Sequence, residues 1–293
     1  MRCFVLSVLV CLTFTQAMAK EPIRVLIVDG FSNHDWKATT ADIREILAQD
    51  EDVEVSVSTV PNESEPSWKE WRPRFADYDV VIQNTNDISG KGVWPTGAQR
   101  ALESYMKEGG GLLIFHSANN AFPEWKEYNR MIGLGWRKKD FGPAIHLVDG
   151  KEVRVPAGEG GSTGHGKRLD TVITRHGDHP IHTGLPRQWM AADLEVYRYA
   201  RGPAENLQVI SSTKDPQTGF HFPVEWVVGY GSGRIYNSTF GHHWHTQKEQ
   251  PPGMRCVGFR TVFLRAVQWL AKREVDAVVP SAFPNVEEVS LAK

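Results

Sequence analysis

The segment Ile23-Arg-Val-Leu-Ile-Val-Asp-Gly30 opens the regular part of this 293-residue chain and decides its fold class. A short apolar run that ends on Asp-Gly is typical of a buried strand followed by a loop. Residues 39–48 come next and have the apolar spacing of a helix. The segment therefore predicts a strand, a loop and a helix in succession.

The same alternation continues along the first half of the chain. Residues 53–60, 78–82 and 111–115 are predicted strands, and residues 94–107 have helical character. The glycines at 109–111 end that helix, because glycine tolerates the backbone conformation of a helix stop. Apolar strands that alternate with helices indicate parallel βαβ units with both sheet faces covered. We therefore predict a doubly wound, mostly parallel α/β sheet.

Beyond His116 the pattern changes to short strand-like runs after a predicted helix at 123–132. These runs indicate a β-rich insertion that forms an added layer. The glycine-rich residues 157–166 predict a mobile loop, and the absence of a strand-to-helix context disfavours phosphate binding there. The predicted elements of this half are strands at 144–148, 152–155, 170–174, 207–212, 224–228 and 234–240, and a helix at 257–272.

Residues 1–19 have the pattern of an export signal. Arg2 precedes an apolar run, and Ala17-Met18-Ala19 fits a signal-peptidase site. The apolar run is shorter than the ~20 residues that a membrane span needs. We therefore expect a periplasmic or secreted protein without a membrane segment after signal removal. Its expected organisation is one domain over residues 20–275 and a C-terminal tail over residues 276–293.

Composition narrows the classes of partner. Two of the three cysteines lie in the signal, so Cys256 alone is expected in the mature chain and no internal disulfide can form. The net charge of -2, with both signs interspersed, offers no basic face for nucleic acid or anionic lipid. Tryptophans often stack on sugar rings, although core packing explains the ten in this chain equally well. The sequence leaves a homo-oligomer open.

Histidines follow three of the predicted strands at the point where each strand ends. His34 follows the first strand, His116 the fourth, and His242 and His243 the last. Ligands bind past the carboxyl ends of the strands in an open parallel sheet. A single histidine in a loop is usually solvated, but three strand ends that deliver histidines to one edge predict a shared site for a polar ligand.

Five segments of the chain carry a family resemblance. They are Asn33-His-Asp-Trp-Lys37, Gly110-Gly-Leu-Leu-Ile-Phe-His-Ser-Ala-Asn119, His179-Pro-Ile-His-Thr-Gly-Leu-Pro186, Asp193-Leu-Glu-Val-Tyr197, and Pro223-Val-Glu-Trp226 with Gly233-Arg-Ile-Tyr-Asn-Ser-Thr-Phe-Gly-His242. In this order they resemble the ThuA-like, or trehalose-utilisation, family. The resemblance implies a flavodoxin-like fold of the class I glutamine-amidotransferase-like superfamily. It also implies a role in the catabolism of disaccharides and their 3-keto derivatives, with a small-molecule carbohydrate as the partner.

The sequence departs from that superfamily at the turn after the central strand. The superfamily places a cysteine there, activated by a histidine. In this chain the turn reads Phe115-His116-Ser117, and Cys256 begins the terminal helix. Glutamine hydrolysis by a thiolate is therefore excluded. The missing Gly-x-Ser-x-Gly pattern also disfavours Ser117 as a nucleophile.

Two uses of the histidine edge are open. In one, His34, His116 and either His242 or His243, with help from Glu195 or Asp35, hold a divalent ion such as zinc, which polarises a carbonyl or a ring hydroxyl group. In the other, a histidine tuned by a carboxylate acts as general acid and base on a keto sugar, whose carbonyl acidifies the neighbouring C–H. We therefore expect an exported enzyme that acts on a disaccharide, a glycoside or a 3-keto-sugar. The alternatives are a non-catalytic sugar-binding protein and a metallohydrolase with an unrelated substrate.

Candidate residues follow from these hypotheses. Glu225 lies within a strand pattern and is open between a site role and a buried ion pair with Arg234. The predicted catalytic residues are His34, His116, His242 and Glu195, and the same three histidines are the candidate metal ligands. The predicted substrate-binding residues are Asp35, Trp36, Ser117, Asn119, Trp125, His243 and Trp244.

Overall fold

A computed structural model describes residues 21–88 and 92–293 of the chain. The predicted export signal lies outside these residues. Within them, none of the helices has the length and apolar character that crossing a membrane requires. The described residues form thirteen strands, in chain order: β1 (Ile23–Asp29), β2 (Val53–Thr59), β3 (Val80–Gln83), β4 (Gly111–Phe115), β5 (Ala144–Val148), β6 (Lys151–Val155), β7 (Gly164–His165), β8 (Leu169–Arg175), β9 (Gln188–Leu194), β10 (Tyr197–Arg198), β11 (Leu207–Lys214), β12 (His221–Tyr230) and β13 (Gly233–Ser238).

Five helices of the described residues pack around these strands. Helix α1 begins at Trp36, three residues before the predicted start, because the Asp35 carboxylate caps it by accepting from the Ala38 N–H at 3.0 Å. The helices are α1 (Trp36–Leu47), α2 (Thr96–Lys107), α3 (Lys126–Ile132), α4 (Pro252–Arg255) and α5 (Val257–Leu270).

The first half of the main sheet is parallel. Its strands lie in the order β2-β1-β3-β4-β13, and every neighbouring pair in this series is parallel. This is the strand order of flavodoxin-like, doubly wound folds. The predicted fold class, an α/β protein with a mostly parallel sheet, is therefore confirmed.

The second half of the sheet is antiparallel. Strands β12, β11, β8 and β9 continue outward from β13, and β5 joins β12 and carries β6. We expected the β-rich insertion to form an added layer, but its strands extend the central sheet to eleven strands within the described residues. Only β7 and β10 form a separate two-stranded ribbon there. This ribbon lies beside the candidate site described below.

Helices cover the two faces of the parallel half. Strand β1 shows this directly, because Val25 and Ile27 pack in the cluster that contains α1 and α5. The alternate residues Leu26 and Val28 pack in the cluster that contains α2 and α3. Successive side chains of a strand point to opposite faces, so an uninterrupted apolar run suits a sheet that is buried on both sides.

Glu225 is fully buried on β12, and the predicted ion pair with Arg234 is wrong. The Glu225 carboxylate accepts from the Ser211 hydroxyl at 2.5 Å and the Tyr236 hydroxyl at 2.7 Å, and it lies 3.2 Å from Nε2 of His182. The strand register explains the difference, since it places Arg234 opposite Gly229, four residues away from Glu225. Arg234 instead donates to the Trp269 carbonyl at 2.9 Å.

Candidate functional site

Three loops at the carboxyl ends of parallel strands bring His34, His116 and His242 together. The ring centroids are 5.1 Å apart for His34 and His116, 4.8 Å for His34 and His242, and 5.2 Å for His116 and His242. One nitrogen from each ring lies within 4.8 Å of the other two. We call these three residues the histidine cluster.

His116 is fixed by the turn that follows β4. Its backbone φ is 42°, in the left-handed region that non-glycine residues seldom adopt, and residues 116–120 then form a single 3₁₀ turn. The Nδ1 atom lies 2.8 Å from the Thr239 carbonyl oxygen. Since a carbonyl only accepts, Nδ1 carries the proton and Nε2 keeps its lone pair. Nε2 is buried and has no hydrogen-bond partner among the residues that the structure describes.

His34 is oriented in the same way by a side chain. Its Nδ1 lies 3.0 Å from Oδ1 of Asn33, and the Asn86 amide donates to that same oxygen at 3.0 Å. Because the Asn33 oxygen accepts both bonds, His34 also carries its proton on Nδ1 and keeps the lone pair on Nε2. Hydrogen bonds of this kind on the remote ring nitrogen are typical of metal-binding histidines.

His242, the third histidine of the cluster, contacts the guanidinium group of Arg168. Nη1 of Arg168 lies 2.7 Å from Nδ1 and 3.2 Å from Nε2 of His242, and Nε of Arg168 donates to the Asp193 carboxylate at 3.0 Å. A guanidinium group can only donate, so His242 accepts from Arg168 with one ring nitrogen.

Glu195 follows β9 and reaches the histidine cluster from the antiparallel half of the sheet. Its carboxylate oxygens lie 3.6 Å from Nε2 of His116, 3.9 Å from Nε2 of His242 and 3.2 Å from Nδ1 of His165. The Tyr197 hydroxyl also bonds to this carboxylate. Glu195 therefore lies between the buried cluster and a fourth histidine.

Burial sets the protonation of the cluster. Burial and the neighbouring His242 lower the pKa of His34 to about 3, and burial and the neighbouring His116 lower that of His242 to about 2. Burial and His34 likewise lower the pKa of His116, whereas burial raises the pKa of Glu195. The three imidazoles are therefore neutral at neutral pH, which is the form that binds a metal ion or accepts a proton.

The cluster opens into a cleft of about 660 Å³. Trp244 and Asn33 line both this cleft and a neighbouring cavity of about 1030 Å³, as does His34. Asp35 and Trp36 line the neighbouring cavity. The structure thus places three predicted substrate-binding residues, Asp35, Trp36 and Trp244, at the surface of connected cavities.

Two aromatic or imidazole side chains that we expected to bind substrate are packed elsewhere. Trp125 stacks on Tyr128 at 5.3 Å and donates to the Glu103 carboxylate at 2.8 Å, within the apolar cluster that covers one sheet face. His243 lies 2.8 Å from the Asp42 carboxylate, which raises its pKa and ties the loop to α1. The predicted substrate contacts of Trp125 and His243 are therefore wrong, and both side chains stabilise the fold instead. Their positions in the sequence do not determine the direction in which the side chains point.

Ser117 and Asn119 belong to the same 3₁₀ turn as His116 and are also buried. The Ser117 carbonyl accepts from the Asn86 amide at 2.9 Å, and Asn119 is 0% exposed. The strand end therefore offers the His116 side chain to the histidine cluster, while Ser117 and Asn119 line neither cavity. Their predicted substrate contacts are corrected accordingly.

Sequence reasoning missed several side chains that line the cleft from the antiparallel half, among them His165, Arg168 and Tyr197. His165 and Tyr197 belong to β7 and β10, which pair with each other, and Arg168 directly precedes β8. Tyr197 lies within the quoted segment Asp193-Leu-Glu-Val-Tyr197, which was the available signal. The others carry no pattern that distinguishes them from ordinary loop residues.

The glycine-rich loop that we expected to be mobile is held by a buried arginine. The guanidinium group of Arg201 donates to the carbonyls of Gly142 and Pro156, each at 3.1 Å, to that of Gly161 at 2.9 Å, and to that of Glu159. Arg201 is 0% exposed. This loop leads directly into β7, so the arginine fixes the approach to His165.

Comparison with known proteins agrees with this architecture. The sequence model of the ThuA family, described as trehalose utilisation, matches residues 24–270. The crystal structure of a ThuA-like protein from Parabacteroides merdae is 30% identical, with 92% of this chain and 97% of that chain covered and a TM-score of 0.84. One from Bacteroides uniformis is 15% identical, with 87% and 95% covered and a TM-score of 0.53. No curated sequence is similar enough to match. The chain therefore belongs to the ThuA family, a family associated with carbohydrate utilisation.

Proposed function

We propose that this protein is a metal-assisted enzyme of carbohydrate utilisation that acts on a disaccharide, a glycoside or a 3-keto-sugar. One observation carries the proposal: three neutral imidazoles from separate strand ends converge within 4.8 Å of one another beside a carboxylate. Family membership supplies the substrate class. We also propose export to the periplasm or beyond the cell, on the pattern of residues 1–19.

The cluster fits a divalent ion such as zinc. His34 and His116 present lone pairs on Nε2, and the buried Nε2 of His116 lacks a partner within residues 21–88 and 92–293. Two nitrogens on one zinc ion lie at most about 4.2 Å apart, so the widest separation of 4.8 Å has to shorten on binding. His242 would complete the set. When bound there, the ion would polarise a carbonyl or hydroxyl oxygen of the sugar.

Glu195 supplies acid or base chemistry in this proposal. Its raised pKa favours proton uptake, and a keto group in the sugar acidifies the C–H bond beside it. Trp136 and Trp244 lie on the cleft wall, where an indole face suits the apolar face of a sugar ring. The Tyr197 hydroxyl orients the Glu195 carboxylate.

The test combines metal analysis with a substrate panel. We expect one metal ion per purified chain, and turnover of at least one substrate among trehalose, other disaccharides and their 3-keto forms, followed by mass spectrometry. Chelator should abolish turnover and added zinc should restore it. Glu195→Gln should lower turnover by roughly 10²–10⁴-fold with the metal retained, whereas His221→Asn on β12 serves as a control with full activity.

Two outcomes would overturn the proposal. If the purified protein is metal-free and its turnover is insensitive to chelator, the metal ion has no role. Acid and base catalysis without a metal then remains. Saturable sugar binding without turnover of any panel member makes the protein a sugar-binding protein.

A further inference from the structure

His165 is the solvent-exposed one among the histidines that line the cleft. Its side chain is 39% exposed, compared with 2% for His116 and 8% for His242. A group that transfers protons in every catalytic cycle has to exchange them with water. The buried histidines are badly placed for that exchange, whereas His165 lines the cleft and its side chain reaches solvent.

Two acceptors determine which nitrogen of His165 carries the proton. Nδ1 lies 2.7 Å from the Gly166 carbonyl oxygen and 3.2 Å from the Glu195 carboxylate. A carbonyl oxygen only accepts, so Nδ1 is protonated in the neutral ring and Nε2 carries the lone pair. A carboxylate behind one nitrogen and a free lone pair on the other is the arrangement of a histidine general base.

We propose that His165 is a catalytic proton-transfer residue of this cleft, with Nε2 as the basic atom and the Glu195 carboxylate lying against the opposite ring nitrogen. The inference rests on the proposed function and deepens it. In a 3-keto-glycoside, Nε2 takes the proton from the carbon between the keto carbon and the anomeric carbon. The electron pair of that C–H bond forms a carbon–carbon double bond as the glycosidic C–O bond breaks. The imidazolium then returns the proton to the departing oxygen, which leaves as an alcohol.

This assignment separates the roles of the two halves of the sheet. The parallel half supplies the buried histidine cluster through β1, β4 and β13, which binds the substrate oxygen or an ion. The antiparallel half supplies the dyad of His165 and Glu195 on the other wall. The Trp136 indole packs edge-on against the His165 imidazole, with the ring centroids 5.5 Å apart, and so limits the movement of that ring.

The first test uses His165→Gln and His165→Ala in the full chain. Both should keep one metal ion per chain and the substrate dissociation constant of the wild type, while turnover falls by roughly 10²–10⁴-fold. Exchange of deuterium from solvent into a 3-keto-sugar, measured by mass spectrometry, should be lost to the same extent. Added imidazole should restore part of the activity of His165→Ala. His221→Gln on β12, a histidine that lines neither cavity, is the matched control.

The second test needs no activity. In ¹⁵N-histidine-labelled protein, long-range ¹⁵N correlations should show the His165 ring protonated on Nδ1, with the signal assigned by its loss in His165→Gln. Glu195→Gln should shift the ring toward the other tautomer. A wild-type ring protonated on Nε2, or His165→Gln turnover within threefold of wild type, overturns the role of His165. If the substrate panel shows no turnover, the proposed function fails, whereas a His165 ring protonated on Nε2 contradicts this inference on its own.

Discussion

Arg168 places a permanent positive charge against the histidine cluster. Its Nη1 atom, 2.7 Å from one His242 nitrogen, occupies a lone pair that a metal ion would also need, and Asp193 holds the guanidinium group there. The arginine is 29% exposed, so it can turn toward solvent without breaking the core. Arg168 and the proposed metal ion would therefore compete for His242.

We expect Arg168→Met to tighten metal binding by roughly 10–100-fold, the range typical of changes to residues that contact a metal ligand. The substitution removes both the competing donor and the charge that repels a cation, while methionine keeps most of the side-chain length. Titration with zinc against a competing chelator measures the change.

Arg198→Met is the control for that titration, because Arg198 bonds to Gln217 and to the His165 carbonyl rather than to the cluster. Equal or weaker zinc affinity in Arg168→Met would show that Arg168 does not compete with the ion.

At the scale of elements, the predictable part of the site is the part built on parallel strands. Strands β1, β4 and β13 were all predicted from the sequence, and the rule that ligands bind past their carboxyl ends located His34, His116 and His242. The ribbon of β7 and β10 has two residues in each strand, too few for any periodicity. No sequence pattern indicates that β7 lies next to Glu195, and His165, which belongs to β7, was therefore not predicted as a site residue.

Side-chain direction was the second limit on prediction. His242 and His243 are adjacent, yet one joins the cluster and the other pairs with Asp42. Sequence position fixed the loop but not which ring faces the cleft. The same limit applies to Trp125, whose environment depends on how α3 packs on the sheet.

Arg201 bonds to several backbone carbonyls of the loop over residues 156–166, which gives a prediction at this scale. Arg201→Met leaves four backbone carbonyls without their shared donor in a buried position. We expect the free energy of unfolding to fall by about 2–4 kcal/mol, since an unsatisfied buried polar group costs about 1–3 kcal/mol and part of the loop can reach water. Hydrogen exchange in the loop should accelerate.

Arg154→Met provides the comparison, because Arg154 donates to a single carbonyl, that of Ala204. It should cost under about 1.5 kcal/mol and leave exchange in the loop unchanged. Loop exchange at the wild-type rate in Arg201→Met would contradict the role that we assign to this arginine.

At the scale of the whole molecule, the histidine cluster makes stability depend on pH. The pKa of His34 is lowered to about 3 and that of His242 to about 2 in the folded protein, whereas an unfolded chain has values near 6.5. Below about pH 6.5 the unfolded chain binds protons that the folded chain does not. The free energy of unfolding therefore falls as pH falls, by up to about 1.4 kcal/mol per pH unit for each such histidine.

Other ionisable groups change the free energy of unfolding in the opposite direction or over a different range of pH. Although burial raises it, the pKa of Glu225 is lowered overall by His182, Ser211 and Tyr236, so its stabilising contribution is lost only as pH falls below about 4.5. Asp42 raises the pKa of His243, whose contribution is complete at low pH and is lost as pH rises. Burial lowers the pKa of several histidines outside the cluster in the same sense as His34. A comparison of variants, rather than the wild-type curve alone, isolates the cluster.

We expect His34→Asn to flatten this dependence. Metal-free protein, kept in chelator, would be unfolded with urea at several pH values between 5 and 6.5, and the slope of the unfolding free energy against pH compared with that of the wild type. Loss of His34 should reduce the slope by about 1 kcal/mol per pH unit, somewhat below the single-site limit of about 1.4 because the unfolded chain is only partly protonated over this range. Lys37→Gln on the adjacent helix α1 should leave the slope unchanged. Parallel curves for wild type and His34→Asn would mean that the His34 ring takes up protons as readily when folded as when unfolded, and the neutral state required of the cluster would then be absent at mildly acidic pH.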